Sequence, residues 1–261
     1  MLITTLGTSH GNHTMTRYNS STLIQTEGAA YLVDCGEPVA ATLERSGKWT
    51  PIIRALFITH MHADHIGGLA ELTNMYYKCG EEGDRDLTIC LPAEGRDAIA
   101  LYLQAIYQAP DLRPGKCVLI GIEPGPCYED ERISATAILT GHLDNLGDKY
   151  RAAGYPNRGQ AFSYIFEIEG KRVGFSGDLP PNFDHLGEVV AEPLDLLLME
   201  MTHIKPDNVL PFIADKPIGK LLLTHIHDPW HGPGENVLRD MCFDHLPFPF
   251  VIAYDGMEME L

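Results

Sequence analysis

The chain has 261 residues, 44% of them hydrophobic, which is enough to bury a full core as one large domain. Its 36 acidic residues outnumber 19 basic ones, and a formal net charge of −17 repels polyanions and leaves no electrostatic footprint for nucleic acid. No apolar run approaches the roughly 20 residues that span a bilayer, and no secretory signal pattern is present. We therefore expect a single domain over residues 1–261, located in the cytoplasm.

Short apolar, β-branched runs dominate the first part of the chain. They predict strands over residues 2–6, 21–25 and 30–33, with a turn at Glu27-Gly28 before the third. A nearly continuous apolar run over residues 54–59 is typical of a strand buried on both faces.

Helical spacing alternates with strand-like runs through the rest of the chain, and this alternation indicates an α/β layered domain. A turn at residues 169–171 joins two of the runs into a predicted hairpin. The predicted helices cover residues 38–46, 66–78, 96–108, 206–214 and 234–244, and the further strands cover residues 87–91, 133–139, 161–167, 172–175, 194–199 and 220–224.

The cysteines do not form a metal or redox motif, because no two of them make a C-x-x-C pair. We expect reduced and mostly buried thiols, as in a cytosolic protein. The six cysteines are at positions 35, 79, 90, 117, 127 and 242.

The segment from His60 to His65 places His60, His62, Asp64 and His65 directly after the predicted strand 54–59. Imidazole and carboxylate are the usual ligands of zinc and related metals. Loops at the carboxyl ends of strands are where α/β sheets place their sites. Four ligands in one loop cannot all reach one tetrahedral metal, so the segment indicates two metals that each take two ligands from it.

Further ligands must come from other strand ends, and few residues qualify. His142 follows strand 133–139, Asp178 follows strand 172–175, and His225 follows strand 220–224. His227 is the alternative to His225, because residues two apart on a continuing strand point to the same side.

With these residues the sequence resembles the metallo-β-lactamase superfamily over essentially its whole length. His60, His62, Asp64 and His65 match its H-x-H-x-D-H motif, and three single-residue motifs follow in the right order. The resemblance implies that His60, His62 and His142 hold one metal, that Asp64, His65 and His225 hold the second, and that Asp178 bridges them.

The same resemblance implies a four-layered αβ/βα sandwich of two mixed β-sheets flanked by helices. It also implies a hydrolase in which a metal-bridging hydroxide is the nucleophile. The cofactors would be two divalent ions per chain, Zn²⁺ first, with Mn²⁺ or Fe as alternatives. Asp64 and Asp178 would then serve the reaction as well as the metals.

The N-terminal third is similar to the phosphodiesterase and ribonuclease Z branch of that superfamily. A strand ends in Leu6-Gly7-Thr8-Ser9-His10, a serine-containing strand begins in residues 18–22, and a third ends in Asp34-Cys35-Gly36. This order favours phosphodiester substrates over carbonyl esters.

Two departures argue against tRNA 3′-end processing. The ribonuclease Z branch carries an H-E-A-T motif that supplies a catalytic histidine, whereas Met199 takes the place of that histidine here, with His203 four residues later. The long Gly/Pro-rich arm that grips tRNA would lie between His142 and Asp178, and only the short segment 143–177 is present.

We therefore predict a hydrolase of a small phosphodiester, such as a cyclic nucleotide, with His203 as a catalytic histidine and no stable nucleic-acid or membrane partner. Glu200, His227 and His231 are further candidates for supporting or leaving-group roles, and Asp228 for orienting a histidine. The alternatives are a lactonase or thioesterase, a tRNA 3′-processing endoribonuclease, and a metal-binding homologue without turnover. A homodimer is also possible.

Overall fold

The computed structural model describes residues 1–48, 53–79, 86–112 and 117–261. The chain divides into two compact units, one made of Met1–Glu123 with Asp255–Glu260 and the other of Pro124–Tyr254 with Leu261. We call them unit 1 and unit 2. The prediction of a single domain over residues 1–261 stays a prediction.

The described elements follow in chain order. Those up to residue 123 are β1 (Leu2–Gly7), β2 (Ser21–Thr26), β3 (Ala29–Val33), α1 (Val39–Arg45), β4 (Ile53–Phe57), α2 (Ala63–Ile66), α3 (Leu69–Cys79), β5 (Leu87–Pro92), α4 (Arg96–Ala105) and β6 (Cys117–Ile122). Those after it are β7 (Gly125–Glu129), β8 (Ile133–Thr140), α5 (Asp144–Ala152), β9 (Ala161–Ile168), β10 (Lys171–Phe175), α6 (Leu186–Val189), β11 (Leu196–Met201), α7 (Pro206–Ile213), β12 (Leu221–Ile226), α8 (Gly234–His245), β13 (Phe250–Ile252) and β14 (Met257–Glu260).

Each unit contains one mixed seven-stranded sheet. In unit 1 the order is β14-β1-β2-β3-β4-β5-β6, antiparallel from β14 to β3 and parallel from β3 to β6. In unit 2 the order is β13-β12-β11-β10-β9-β8-β7, parallel from β13 to β10 and antiparallel from β10 to β7. The prediction of two mixed sheets with flanking helices is confirmed.

Helices cover one face of each sheet. In unit 1, α1, α3 and α4 bury residues such as Leu43, Leu72 and Leu103 against the apolar side chains of β2 to β5. In unit 2, α6, α7 and α8 contribute residues such as Leu210 and Leu238 to the core formed with β11 and β12. Parallel strands under such a helical layer read as continuous apolar runs, which is why the sequence reveals β4, β11 and β12.

The helix predicted over residues 66–78 is wrong in one respect, because two helices, α2 and α3, share this region. The backbone N–H of Gly68 donates to the carbonyl oxygen of Cys35 at 2.8 Å, outside any helical ladder. A β-carbon on Gly68 would lie 2.7 Å from Cγ1 of Val39. Because Gly68 has no side chain, the backbone between α2 and α3 can pack directly against Cys35 and Val39, just beyond the end of β3.

Other predictions hold with shifted ends. The helix predicted over residues 96–108 ends at Ala105, since Tyr107 adopts a φ of 62°, which a right-handed helix does not allow. The hairpin turn between β9 and β10 is confirmed, with positive φ at Glu169 and Gly170. The elements that the sequence did not predict are short, polar or at sheet edges: β6, β7, α5, α6, β13 and β14.

The prediction of buried thiols is confirmed for four cysteines, Cys35, Cys90, Cys117 and Cys242, while Cys127 is half-buried. The side chain of Cys79 lies outside the described residues. In the described part of the chain, no helix has the length and apolarity needed to cross a membrane.

Candidate metal centre

The first cluster of candidate ligands lies in unit 1, where the chain leaves β4 and turns into α2. His62 has an extended backbone and immediately precedes the first residue of α2. The ring centre of His60 lies 4.6 Å from that of His62 and 4.1 Å from that of His65. Nε2 of His65 lies 3.3 Å from Oδ2 of Asp64. Unit 1 thus brings together all four residues of the H-x-H-x-D-H segment.

Asp34 supports this cluster from the end of β3. Its Oδ2 lies 2.7 Å from Nδ1 of His65, and its Oδ1 accepts the backbone N–H of Thr59 at 2.8 Å. Asp34 is buried and has a φ of 57°, a strained conformation for a residue with a side chain. A proton on Nδ1, shared with this carboxylate, leaves Nε2 of His65 as the nitrogen able to bind a metal.

Close backbone packing holds the same segment in place. The backbone N–H of Cys35 donates to the carbonyl oxygen of His65 at 2.8 Å. A β-carbon on Gly36 would lie 2.2 Å from the carbonyl oxygen of Asp64, a distance that no side chain tolerates. The Asp34-Cys35-Gly36 sequence therefore positions the cluster through one carboxylate, one hydrogen bond and one missing side chain.

The second cluster lies in unit 2 and surrounds the carboxylate of Asp178. Oδ2 of Asp178 lies 3.7 Å from Nε2 of His142 and 3.7 Å from Nδ1 of His203, and Oδ1 lies 3.6 Å from Nε2 of His225. Asp178 and His225 are buried. The Thr140 hydroxyl donates to the backbone carbonyl of Asp178 at 3.1 Å, which fixes the loop after β10 against the end of β8.

Glu200 organises the histidine side of this second cluster. Its carboxylate accepts the backbone N–H groups of Leu179 at 2.6 Å, Thr202 at 2.9 Å and His203 at 2.8 Å. Nδ1 of His203 lies 3.0 Å from Oε2 of Glu200. The sequence analysis named Glu200 only as a supporting candidate, and the structure places it, fully buried, near the end of β11, where it binds the backbone of the loop that follows.

Unit 2 also contains His227, the alternative to His225, and His231, a candidate for a supporting role. His227 is exposed at the start of a 3₁₀ turn, whereas His225 is buried beside Asp178 with a φ of 50°. His231 lies with Nε2 2.8 Å from the carbonyl oxygen of Ile226, and its Nδ1 lies 3.6 Å from Asp228, too far for a hydrogen bond. The hydroxyl of Thr202 donates to the carbonyl oxygen of His225 and supports its unusual backbone.

Sequence reasoning gave no role to Asp34 or Thr59. Asp34 stood within a motif that indicated a family branch, and its position at a strand end was the one signal that could have revealed it. Thr59 carried no signal, because a threonine at a strand end is ordinary. Its hydroxyl lies 3.0 Å from Oδ2 of Asp34 and 3.1 Å from Nδ1 of His60, so it links the carboxylate to a second imidazole.

The donor set of each cluster fits divalent metals. Unit 1 offers three imidazoles and a carboxylate, and unit 2 offers imidazoles around a buried carboxylate, a mixture suited to zinc, manganese or iron. In unit 2 the potential ligand atoms of Asp178, Glu200, His203 and His225 lie within 4.8 Å of one another. The carboxylates Asp34 and Glu200 orient imidazoles, as is common around metal-binding histidines.

The chain is similar in sequence to a family model and to curated relatives. A family model described as Anti-Pycsar protein Apyc1 matches residues 1–107. The ribonuclease Z of Rippkaea orientalis is 37% identical over 200 residues, which cover 74% of this chain and 59% of that protein. The ribonuclease Z of Gloeothece citriformis is 37% identical over 147 residues, or 54% of this chain and 44% of that protein. The chain thus spans about half the length of the curated relatives it matches.

Solved structures match the chain along its whole length. The metallo-β-lactamase fold protein YhfI of Bacillus subtilis has a TM-score of 0.74 at 20% identity, covering 99% of both chains. A diphosphatase of the PhnP family has a TM-score of 0.73 at 19% identity, covering 100% of this chain and 97% of that one. Yeast PDE1 has a TM-score of 0.73 at 16% identity, covering 100% of this chain and 99% of that one.

The solved structures identify the fold, and the sequence relatives identify the branch within it. By its fold and its sequence relatives, the chain belongs to the ribonuclease Z-like branch of the metallo-β-lactamase superfamily.

Proposed function

We propose that this chain is a dinuclear metal-dependent hydrolase that acts on a small phosphodiester, with residues 1–261 working as one domain. The observation that carries the proposal is the buried carboxylate of Asp178, approached by His142, His203 and His225 at 3.6 to 3.7 Å. A buried carboxylate lowers the stability of the fold unless it is paired or coordinates a cation, and a metal ion held by the surrounding imidazoles would provide that cation.

The ligand assignment follows the family resemblance residue by residue. His60, His62 and His142 would hold one ion, Asp64, His65 and His225 the other, and Asp178 would bridge the two. The hydrogen bond from His65 to Asp34 supports this assignment, because it directs Nε2 of His65 to a metal. Bound divalent ions would lower the pKa of coordinated water and neutralise charge on phosphoryl oxygens.

His203 is proposed to hold a proton at Nε2 for the leaving alkoxide. Its Nδ1 lies 3.0 Å from Oε2 of Glu200, and this contact fixes the orientation of the ring and directs Nε2 away from the carboxylate. Its side chain is 31% exposed, so it is accessible to a substrate, unlike the buried Glu200. His203 would in this way replace the histidine of the H-E-A-T motif, whose position Met199 fills.

A small diester suits the electrostatics of the chain. A net charge of −17 disfavours approach of a long polyanion, whereas a single diester group carries one negative charge that two divalent ions neutralise. Two neighbours in fold, the diphosphatase of the PhnP family and yeast PDE1, are phosphodiesterase-type proteins and support phosphorus chemistry.

The second candidate is cleavage of RNA, and the names of the sequence relatives favour it. Relatives called ribonuclease Z stand in tension with our expectation that the chain does not bind nucleic acid. Against RNA stand the charge and the segment 143–177, which is short and consists largely of α5, β9 and β10. Measured turnover of a small phosphodiester and of RNA distinguishes the two candidates.

The test is a side-by-side assay of metal-loaded protein, with metal content measured by mass spectrometry. The substrates are bis(p-nitrophenyl) phosphate, a 3′,5′-cyclic nucleotide, a precursor tRNA, a lactone and a thioester. The variants are Asp178→Ala and His203→Gln, and the matched control is Asp195→Asn, a partly exposed carboxylate of unit 2 that pairs with Lys171.

We expect chelator-sensitive turnover of the diesters, loss of metal and activity in Asp178→Ala, and normal behaviour of Asp195→Asn. His203→Gln should keep its metal and lose about 10² to 10⁴-fold in turnover of substrates with poor leaving groups. Activity confined to the lactone or thioester would overturn the phosphodiester proposal, and cleavage of precursor tRNA alone would replace it with the second candidate. Full metal content in Asp178→Ala would refute the ligand assignment.

A further inference from the structure

Unit 1 contains a cavity of about 350 Å³ between helix α1 and the edge of its sheet formed by β1 and β14. Its lining includes Thr4, Tyr18, Arg45 and Lys48 together with two acidic residues from the end of the chain, Asp255 and Glu258. None of these residues belongs to the proposed metal ligands. A volume of this order is within the range of about 300 to 1,000 Å³ that small-molecule sites occupy.

An unsatisfied hydroxyl lies at the base of the cavity. Thr4 is 1% exposed, and its Oγ1 atom has no hydrogen-bond partner among the residues that the structure describes. Thr4 is paired with Glu258 across β1 and β14, so both side chains point to the cavity side of the sheet. A buried hydroxyl without a partner destabilises a fold unless a ligand or water completes it.

Among the charged side chains that line the cavity, all but one arginine are paired with, or lie close to, an opposite charge on a described residue. Lys48 pairs with Glu258 at 2.7 Å and donates to Gln25 at 3.1 Å. Asp255 accepts hydrogen bonds from the Thr8 hydroxyl at 2.7 Å and the Tyr18 backbone N–H at 2.5 Å, and the charge of Arg17 is close enough to stabilise it.

Arg45, on the last residue of α1, has no hydrogen bond or ion pair with any described residue. Its guanidinium presents a planar fork of donors that matches a carboxylate or a phosphate. The cavity therefore combines one uncompensated positive charge at its rim with one unsatisfied hydroxyl at its base.

We propose that this cavity binds a small organic anion with a single carboxylate or phosphate group. The acidic group pairs with Arg45, a hydroxyl or carbonyl of the same molecule completes the hydrogen bonding of Thr4, and a flat ring packs beside Tyr18. The proposal does not depend on the proposed hydrolase activity, because it uses no residue of either metal-binding cluster.

The test is a titration of the metal-loaded, full-length chain, followed by amide NMR and by calorimetry. The probes are 4-hydroxybenzoate, AMP and the neutral 4-hydroxybenzamide, which separate a carboxylate, a phosphate and no charge. The variants are Arg45→Gln and the isosteric Thr4→Val. The control is Arg96→Gln, which changes an exposed arginine of unit 1 that pairs with Asp97.

We expect at least one of the two anions to shift the amide resonances of Thr4, Ser46 and Gly256, and the neutral amide to leave them in place. Arg45→Gln should weaken that binding at least tenfold and Thr4→Val several-fold, whereas Arg96→Gln should bind like the wild type. Binding of AMP at a metal site is recognisable, because it leaves these resonances unshifted and survives Arg45→Gln.

Three results would overturn the proposal. The first is that millimolar concentrations of both anions fail to move the resonances of the cavity. The second is equal binding by Arg45→Gln and wild type, and the third is equal shifts by the amide and the benzoate. Unchanged affinity in Thr4→Val would refute the contact assigned to the hydroxyl.

Discussion

Oδ2 of Asp34 and Nδ1 of His65 lie 2.7 Å apart, at the end of a strand and in the first turn of a helix that are separated by 31 positions in sequence. Because this carboxylate takes the Nδ1 proton, the opposite ring nitrogen faces away with its lone pair available. In the proposed metal site, the ring form of His65 would thus be set by Asp34, a residue that is not itself among the proposed ligands.

Removal of that carboxylate should therefore weaken metal binding. We expect Asp34→Ala to lower metal affinity by about 10 to 100-fold, the range typical of lost partners of metal-binding histidines. Asp34→Asn keeps one acceptor oxygen and should fall between Asp34→Ala and the wild type. Chelator competition gives the affinity, and thermal melting of the metal-free protein separates a loss of fold from a loss of ligand orientation. Asp97→Ala, at an exposed aspartate, is the control, and equal affinities of Asp34→Ala and Asp97→Ala would contradict the role assigned to Asp34.

Glu200 should matter for stability as much as for chemistry. It is 1% exposed and accepts the backbone N–H groups of Leu179, Thr202 and His203. Glu200→Ala would leave these donors without an acceptor, at about 1 to 3 kcal/mol for each one that water cannot reach. We expect urea unfolding to show a loss of at least about 2 kcal/mol, and Glu200→Gln to lose less. A stability equal to that of the wild type would mean that water replaces the carboxylate.

Gly36 tests whether close backbone contact holds the histidine segment. Because a β-carbon would lie 2.2 Å from the carbonyl oxygen of Asp64, Gly36→Ala must displace the backbone of residues 60–65. We expect a loss of about 1 to 3 kcal/mol or more in the free energy of unfolding, with weaker metal binding. Gly187→Ala is the matched control, since the nearest atom to its β-carbon, Cζ of Phe212, is at 3.8 Å. Equal behaviour of the two variants would exclude the steric argument.

Part of the candidate site and most of the buried strands could be predicted from the sequence alone. Residues 60–65 were found because four ligand-type side chains lie within six positions after an apolar strand, so local pattern and chemistry agree. Positions at strand ends then indicated His142, Asp178 and His225, the superfamily resemblance implied their roles, and unit 2 places these three side chains together. The strands that lie under a helical layer were also predicted, because burial on both faces makes them continuously apolar.

The roles of Asp34 and the break between α2 and α3 could not be found in this way. Each depends on which segments approach one another, and a single sequence does not display distance. Gly68 looked compatible with one long helix, although the structure uses it for close contact with Cys35 and Val39. The edge strand β14 escaped for a different reason, since its Met-Glu alternation is too short to stand out.

The thiols should be inert in the native protein. Burial raises the pKa of Cys117 and of Cys242 to about 12 and that of Cys127 to about 11, and it raises the pKa of Cys35 well above its usual range. Since the thiolate is the reactive form, we expect negligible alkylation of these residues by iodoacetamide at pH 8 within an hour, and complete alkylation in urea. Peptide mass spectrometry reports each cysteine separately. Fast modification of Cys117 or Cys242 in the folded state would contradict their described burial.

Asp255 and Asp195 should make opposite contributions to stability as the pH changes. Burial raises the pKa of Asp255 above its ordinary 3.8, although hydrogen bonds from Thr8 and Tyr18 partly oppose the shift. The folded state then holds the proton more tightly than the unfolded state, so the stability that Asp255 contributes is present below pH 3.8 and is lost as the pH rises through the raised pKa. For Asp195, the backbone N–H of Arg172 and the side chain of Lys171 lower the pKa below 3.8, so its contribution is present above that pH and is lost as the pH falls through the lowered value.

Urea unfolding between pH 3 and pH 6 of the wild type, Asp255→Asn and Asp195→Asn measures both effects, because an amide does not titrate and the other groups cancel in each difference. The free energy of unfolding of the wild type minus that of Asp255→Asn should fall as the pH rises. The corresponding difference for Asp195→Asn should rise over the lower part of the range and then level off. Parallel slopes for the two variants would show that the net charge of the chain, rather than the surroundings of each carboxyl, governs its acid stability.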